Sequence, residues 1–289
     1  MMELRFNKAH SLILFMAFLS MSCSLNRLST TGSQSSELLK NETLLRYNSD
    51  EIQQIAENDN PLTSALAECH RGNAKNALNK LKNELEENRE NFEYWNKVGT
   101  CYYLSKNDSK ATFFFEHALN ISKKTKKKNP YSYNNLGILY LKKRHFAKAK
   151  TAFELALKTS PNLLTPKYNL SQLYLQFGQI APAKKILLDL YGEDSKDIDL
   201  ISSLGVLAII EKEYDLAIKY FNMIPEDDQK RADIAAHFSL SLYLKGNYYE
   251  AREALKKQKV TTLKPFYKLN RKLSSLITEA IKKEEQKNK

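Results

Sequence analysis

The 289 residues include only 8 Gly and 7 Pro, 42% are apolar and 27% charged, and 45 Lys+Arg against 33 Asp+Glu give a formal charge of +12. All-β sandwiches, dinucleotide-binding domains and Gly-rich phosphate loops need glycines at forced turns, so this composition excludes them and favours helices. Three cysteines are too few for a disulfide framework or a four-thiolate zinc site; the positive balance leaves nucleic acid, anionic lipid or an acidic partner for the compartment to separate.

At the N-terminus, Arg5 and Lys8 precede the apolar run Leu12 to Leu19, and Ser20, Met21, Ser22 and Cys23 follow. The run is far shorter than the roughly 20 residues that span a bilayer, and the order basic, apolar, small is that of an export signal. A cysteine directly after a small residue resembles a bacterial lipobox, with Ser20 where most such motifs carry Leu. The resemblance implies a signal peptide over 1–22, a diacylglycerol thioether on Cys23 and, because Ser24 rather than Asp follows, an outer-membrane lipoprotein facing the periplasm. Stable anchoring takes more than one acyl chain. Loss of Glu3, Arg5 and Lys8 with the signal lowers the charge to +11. A chain tethered there meets no nucleic acid, so the basic surplus reads as compatibility with anionic head groups or as solvated helix surface. Residues 23–48 form the lipidated N-terminus and a flexible, Ser/Thr-rich tether. A leading helix is expected over 49–60, with Ser49 as its N-cap.

Beyond it the chain repeats. Ala77, Ala111, Ala149, Ala183, Ala217 and Ala251 are separated by 34, 38, 34, 34 and 34 residues. Around them, repeat 2 carries Trp95, Val98, Gly99, Tyr102, Phe115 and Ala118, and repeat 3 carries Tyr133, Leu136, Gly137, Tyr140, Phe153, Ala156 and Pro161. Repeats 4 to 6 keep Leu170, Tyr174, Gly178 and Leu187; Leu204, Gly205, Tyr214 and Phe221; and Phe238, Gly246, Tyr248 and Leu255. Repeat 1 is the weakest, with Gly72 and Leu81 but Ala65 in the Gly place. Period and pattern resemble the tetratricopeptide repeat. The resemblance implies an all-α, right-handed superhelical solenoid of about six helix pairs over 61–258. A small residue at the eighth place and Ala at the twentieth let paired helices approach. No single pair can bury its apolar face, so the stack needs end caps. Residues 259–289, with Phe266, Leu269, Leu273, Leu276, Ile277 and Ala280 at helical spacing, read as a C-terminal capping helix and basic tail.

The long interval contains Lys123, Lys124, Lys126, Lys127 and Lys128, read as a solvated inter-repeat loop able to meet an anionic surface. Cys69 and Cys101 fall on the first helices of neighbouring repeats. Their offset of two residues within the repeat argues against a bridge and makes two buried thiols the expected state. No phosphate loop, dinucleotide fingerprint, Cys-x-x-Cys or His-Glu-x-x-His is present, and His70, His117, His145 and His237 are scattered over four repeats. The sequence therefore supplies no constellation for catalysis, a metal or a cofactor.

In tetratricopeptide superhelices the concave groove is lined from the first helix of each repeat. Carried over by register, the lining comprises Asn96, Thr100 and Tyr103; Asn134, Ile138 and Leu141; Tyr168, Gln172 and Leu175; Ser202, Val206 and Ile209; and Ala236, Leu240 and Tyr243. The strip carries no charge, which fits an apolar or amphipathic segment of another envelope protein rather than a C-terminal carboxylate. Lipid anchor, repeat number and length together resemble the pilotin lipoproteins of type IV pili (the PilW/PilF and Tgl group). That resemblance implies a non-enzymatic assembly factor whose partner is a secretin. The alternative is a general periplasmic adaptor presenting a protease or peptidoglycan hydrolase to its substrate.

Overall fold

The computed structural model describes residues 60–258 and 264–287, and every regular element among them is helical. The signal peptide, Cys23, the tether and most of the leading helix lie outside the described residues. Two compact units divide the described chain, 60–173 and 174–287.

In the first unit, α1 (Pro61–His70) pairs with α2 (Ala74–Asn83), and the short α3 (Leu85–Asn88) leads on to α4 (Phe92–Leu104), α5 (Asp108–Lys124), α6 (Pro130–Lys142) and α7 (Phe146–Thr159). α8 (Leu164–Gln176) begins in this unit and ends in the next. The second unit contains α9 (Ile180–Glu193), α10 (Ile198–Ile210), α11 (Tyr214–Asn222), the short α12 (Glu226–Gln229), α13 (Ala232–Lys245), α14 (Tyr248–Lys256) and α15 (Lys264–Lys287).

Local sequence sets these boundaries. The Oδ1 atoms of Asn60, Asn91, Asn107, Asn129 and Asp197 accept hydrogen bonds from the first-turn amides of α1, α4, α5, α6 and α10, and Pro61 and Pro130 open two of these helices. Inside each pair the chain turns at the fifteenth place of the repeat, through a residue with positive φ. Gly72 (88°), Gly178 (66°) and Gly246 (102°) adopt it freely, whereas Lys106 (63°), Arg144 (60°) and Lys212 (66°) adopt it against their Cβ. The next amide then reaches back five residues in all six turns, as in Asn107 N to Tyr102 O (2.8 Å) and Asn247 N to Leu242 O (2.9 Å), satisfying a helix-end carbonyl.

The helix pairs are matched in size. Gly99, Gly137 and Gly205 each face a fully buried phenylalanine sixteen residues on, and a Cβ there would come within 2.7 Å of Phe115, 2.4 Å of Phe153 and 2.7 Å of Phe221. Where the eighth place is larger the partner is smaller: Ala65 goes with Leu81, Ser171 with Leu187, and Ser239 with Leu255. The Ser239 hydroxyl donates to Ala251 O at 2.7 Å, so its polar atom is used in that contact. Gly with Phe and Ser or Ala with Leu fill one space in two ways.

Leu269, Leu273, Ile277 and Ile281 of α15 are buried at four-residue spacing within the apolar cluster of the second unit, against α13 and α14. The capping expectation holds, with Ile281 in place of Ala280 on the covered stripe.

Candidate functional site

The predicted lining strip lies on α4, α6, α8, α10 and α13 and is closed rather than open. Asn96, Thr100, Tyr103, Asn134, Ile138, Leu141, Tyr168, Gln172, Leu175, Ser202, Val206, Ile209, Ala236 and Leu240 are all buried, and Tyr243 is partly so. In the second unit the reason is packing: Val206, Ile209, Ala236 and Leu240 belong to the same apolar cluster as Phe221 and Leu273. Charge is absent there because an unpaired charge in such a cluster would be very costly.

The first unit fills the strip with amides. Asn169 Nδ2 donates to Asn134 Oδ1 (2.9 Å), Asn134 Nδ2 to Asn135 Oδ1 (3.2 Å), and Asn135 Nδ2 to Asn96 Oδ1 (3.2 Å). Asn96 Oδ1 also accepts from Ser132 Oγ at 3.0 Å, and Ser132 Oγ accepts from Asn129 Nδ2 at 3.1 Å. Asn suits such a chain because it donates and accepts at once. The result is a buried polar ladder linking α4, α6 and α8. Sequence reading named Asn96 and Asn134 but missed Ser132, Asn135 and Asn169. A signal was available: the sixth place is polar in every repeat, as Thr63, Lys97, Asn135, Asn169, Ser203 and His237. Of these, Lys97 is buried and its ammonium is pushed down to about 8 by desolvation.

Cys69 and Cys101 form a disulfide, with Cα atoms 5.2 Å apart, which corrects the expectation of free thiols. The two-residue offset that argued against the bridge recurs in other contacts between neighbouring first helices. Asn96, at the fifth place, meets Ser132 at the third, and Asp199, at the second, meets Arg231 two residues earlier in the next repeat. Cys69 at the twelfth place and Cys101 at the tenth obey the same stagger.

Arg231 was also missed. Its Nη1 and Nη2 both donate to Asp199 Oδ1 at 3.1 Å, and Nη2 donates to Asp233 Oδ2 at 2.7 Å. Asp199 and Arg231 are almost completely buried, so the pair fixes α10 against α13 at a high desolvation cost.

The lysine cluster is only partly a loop. Lys123 and Lys124 end α5, which at 17 residues is the longest repeat helix described, and Lys126, with φ 54°, turns the chain towards Lys127 and Lys128. Four extra residues lengthen the helix and its exit, which accounts for the 38-residue interval. All five lysines are exposed, and Lys124 Nζ reaches Glu90 Oε1 at 2.8 Å. Among the described residues no three His, Cys, Asp or Glu side chains cluster as metal ligands would, and no helix is long and apolar enough to cross a membrane.

No curated protein matches the chain. Solved structures do: Cut9–Hcn1 of the APC/C has a TM-score of 0.59 at 18% identity, over 72% of this chain and 41% of that one. This chain thus spans less than half of that relative's length. PilW, described as a widely conserved type IV pilus biogenesis factor, has a TM-score of 0.57 at 19% identity, over 68% and 90% of the two chains. For PilF of Pseudomonas aeruginosa the figures are 0.55 and 18%, over 70% and 88%. At these identities the likeness is one of fold. Residues 130–163 match the tetratricopeptide repeat family, and the described helix pairs on either side have the same helix-pair fold and repeat the same eighth-, twentieth- and twenty-fourth-place pattern.

Proposed function

We propose that the chain is a protein-binding scaffold, exported and held by lipid on Cys23 at the periplasmic face of the outer membrane, where it assists assembly of a type IV pilus secretin. The amide ladder of the first unit carries the binding part of this reading. Buried amides add less to stability than aliphatic side chains of equal volume, yet three successive first helices keep them at the fifth and sixth places, where the second unit carries Ser202, Ser203, Ala236 and His237. Fully buried and bonded to one another, these amides serve a partner indirectly, by holding α4, α6 and α8 in one fixed register against each other. The disulfide supports export, since such bonds persist in oxidising compartments. The fold shared with PilW and PilF supports the choice of partner.

Deleting the gene should abolish secretin multimers and surface pili, with rescue by the wild-type chain but not by Cys23→Ser. Asn134→Leu with Asn169→Leu should cost about 1–2 kcal/mol, because Asn135 Oδ1 loses its donor, and should leave a folded chain that fails to rescue. Normal secretin multimers in the deletion strain would overturn the pilus reading. Full rescue by the double Leu variant would overturn the role of the ladder.

A further inference from the structure

We propose that one face of α5 is a docking surface for an anionic phospholipid bilayer, distinct from the amide strip and independent of lipid on Cys23. Phe113 is 60% exposed, the most exposed large apolar side chain described. Lys110, His117, Asn120 and Lys124 lie three residues before it and four, seven and eleven after it, the spacing of one helical stripe. Behind Phe113 lies a fixed aromatic wall. Phe114 stacks on Trp95 (5.6 Å, 7°) and on Tyr102 (5.2 Å, 4°), His117 meets Trp95 edge-on at 4.5 Å, and Lys110 Nζ sits 5.0 Å above the Tyr102 ring.

Charge supplies the complement. Residues 105–129 hold seven lysines, Lys106, Lys110, Lys123, Lys124, Lys126, Lys127 and Lys128, against Asp108 and Glu116, so +5 of the chain's +12 lies along this one helix and its two flanking turns. Asp108 is engaged by Lys142 at 2.7 Å, while Glu116, exposed beside the stripe, and Glu90, paired with Lys124, are the acids that work against the contact. Lysines at both ends of the stripe with a projecting hydrocarbon ring between them match a surface whose phosphates are wet and whose interior is apolar. A single-stranded nucleic acid would want free ring faces for its bases. Here the faces of Trp95, Phe114 and Tyr102 are already occupied by one another or by Lys110.

Trp95 is the sole tryptophan, so its fluorescence reports on this wall directly. The test uses the full chain carrying Cys23→Ser, mixed with vesicles of phosphatidylcholine alone or with added phosphatidylglycerol. The expected result is co-sedimentation and a blue shift of Trp95 with the anionic vesicles only, both fading as salt rises. Phe113→Ser should weaken partitioning roughly tenfold with an unchanged melting temperature. Gln at the five positions from 123 to 128 that hold Lys should weaken it by about a thousandfold. Equal binding to both kinds of vesicle, no effect of Phe113→Ser, or binding to heparin that displaces the vesicles without involving Phe113 would each overturn the proposal.

Discussion

The two units stack the same kind of helix pair but join their first helices by different chemistry. In the first unit, a disulfide ties α1 to α4 and an amide ladder ties α4 through α6 to α8. In the second, α10 is buried along nearly its whole length, largely in aliphatic contacts, and the Asp199–Arg231 pair is a polar tie to α13. Directional bonds hold only in one register, whereas aliphatic side chains tolerate small slips. The second unit places its directional contact at the end of the helix, where a single ion pair fixes the stagger. The disulfide, the Ser132–Asn96 bond and the Asp199–Arg231 pair share a two-residue offset, whereas the amides of Asn135 and Asn169 reach one place the other way, so one helix stagger admits more than one bonding chemistry.

The largest expected effect separates the units by redox state. Reducing Cys69–Cys101, whose partners are 32 residues apart, should cost the first unit about 3–4 kcal/mol. Hydrogen exchange should show α1 and α2 losing protection while α10 to α14 keep theirs; equal loss in both units would break the comparison. Acid should act on the second unit. Burial pushes the His237 imidazole down to about 4, with nearby Arg231 lowering and Asp233 raising it by smaller amounts. The unfolded chain therefore binds the proton more readily. Stability should be intact above about pH 6.5 and fall as the pH drops towards 4, by up to about 3 kcal/mol. His237→Gln should flatten that slope in urea titrations at pH 7 and pH 5. His70, partly open at the end of α1, is shifted the same way by burial and should weigh less.

Packing changes come next. Gly137→Ala should cost about 2–3 kcal/mol by driving a methyl into the Phe153 ring, with partial recovery on adding Phe153→Leu. Ser239→Ala, at the same place in the second unit, should cost only about 1 kcal/mol through loss of its bond to Ala251 O. Thermal melts of the three variants test this, and an equal cost at Gly137 and Ser239 would sink the size-matching account. The smallest effect should be the same in either unit: Arg144→Gly and Lys212→Gly should each stabilise by about 0.5 kcal/mol, since glycine removes the positive-φ strain at a turn.

The helix pairs were legible in the sequence because close approach leaves composition little freedom: an alanine at the twentieth place marks every repeat and a Gly–Phe couple marks three of them. The cap was legible through the four-residue spacing of Leu269, Leu273 and Ile277. The ladder was not, because Asn and Ser on a helix read equally well as a wet surface, and only their recurrence at the sixth place distinguishes them. The disulfide was misjudged because identical repeat positions were taken as nearest neighbours, which inclined helices do not make them. Arg231 was overlooked for the same reason: its partner Asp199 stands 32 residues back, not 34.

The size matching of the eighth and twenty-fourth places also bears on how such a chain can be recombined. Each Gly–Phe or Ser–Leu couple straddles the turn at the fifteenth place. A crossover in that turn would set a serine against a phenylalanine, or a glycine against a leucine with a void beside it. A crossover between repeats leaves every couple whole. Chimeras of this protein should therefore be cut in the linkers before α6, α8 or α10, and the residues that look most like a hinge are the wrong place for a joint.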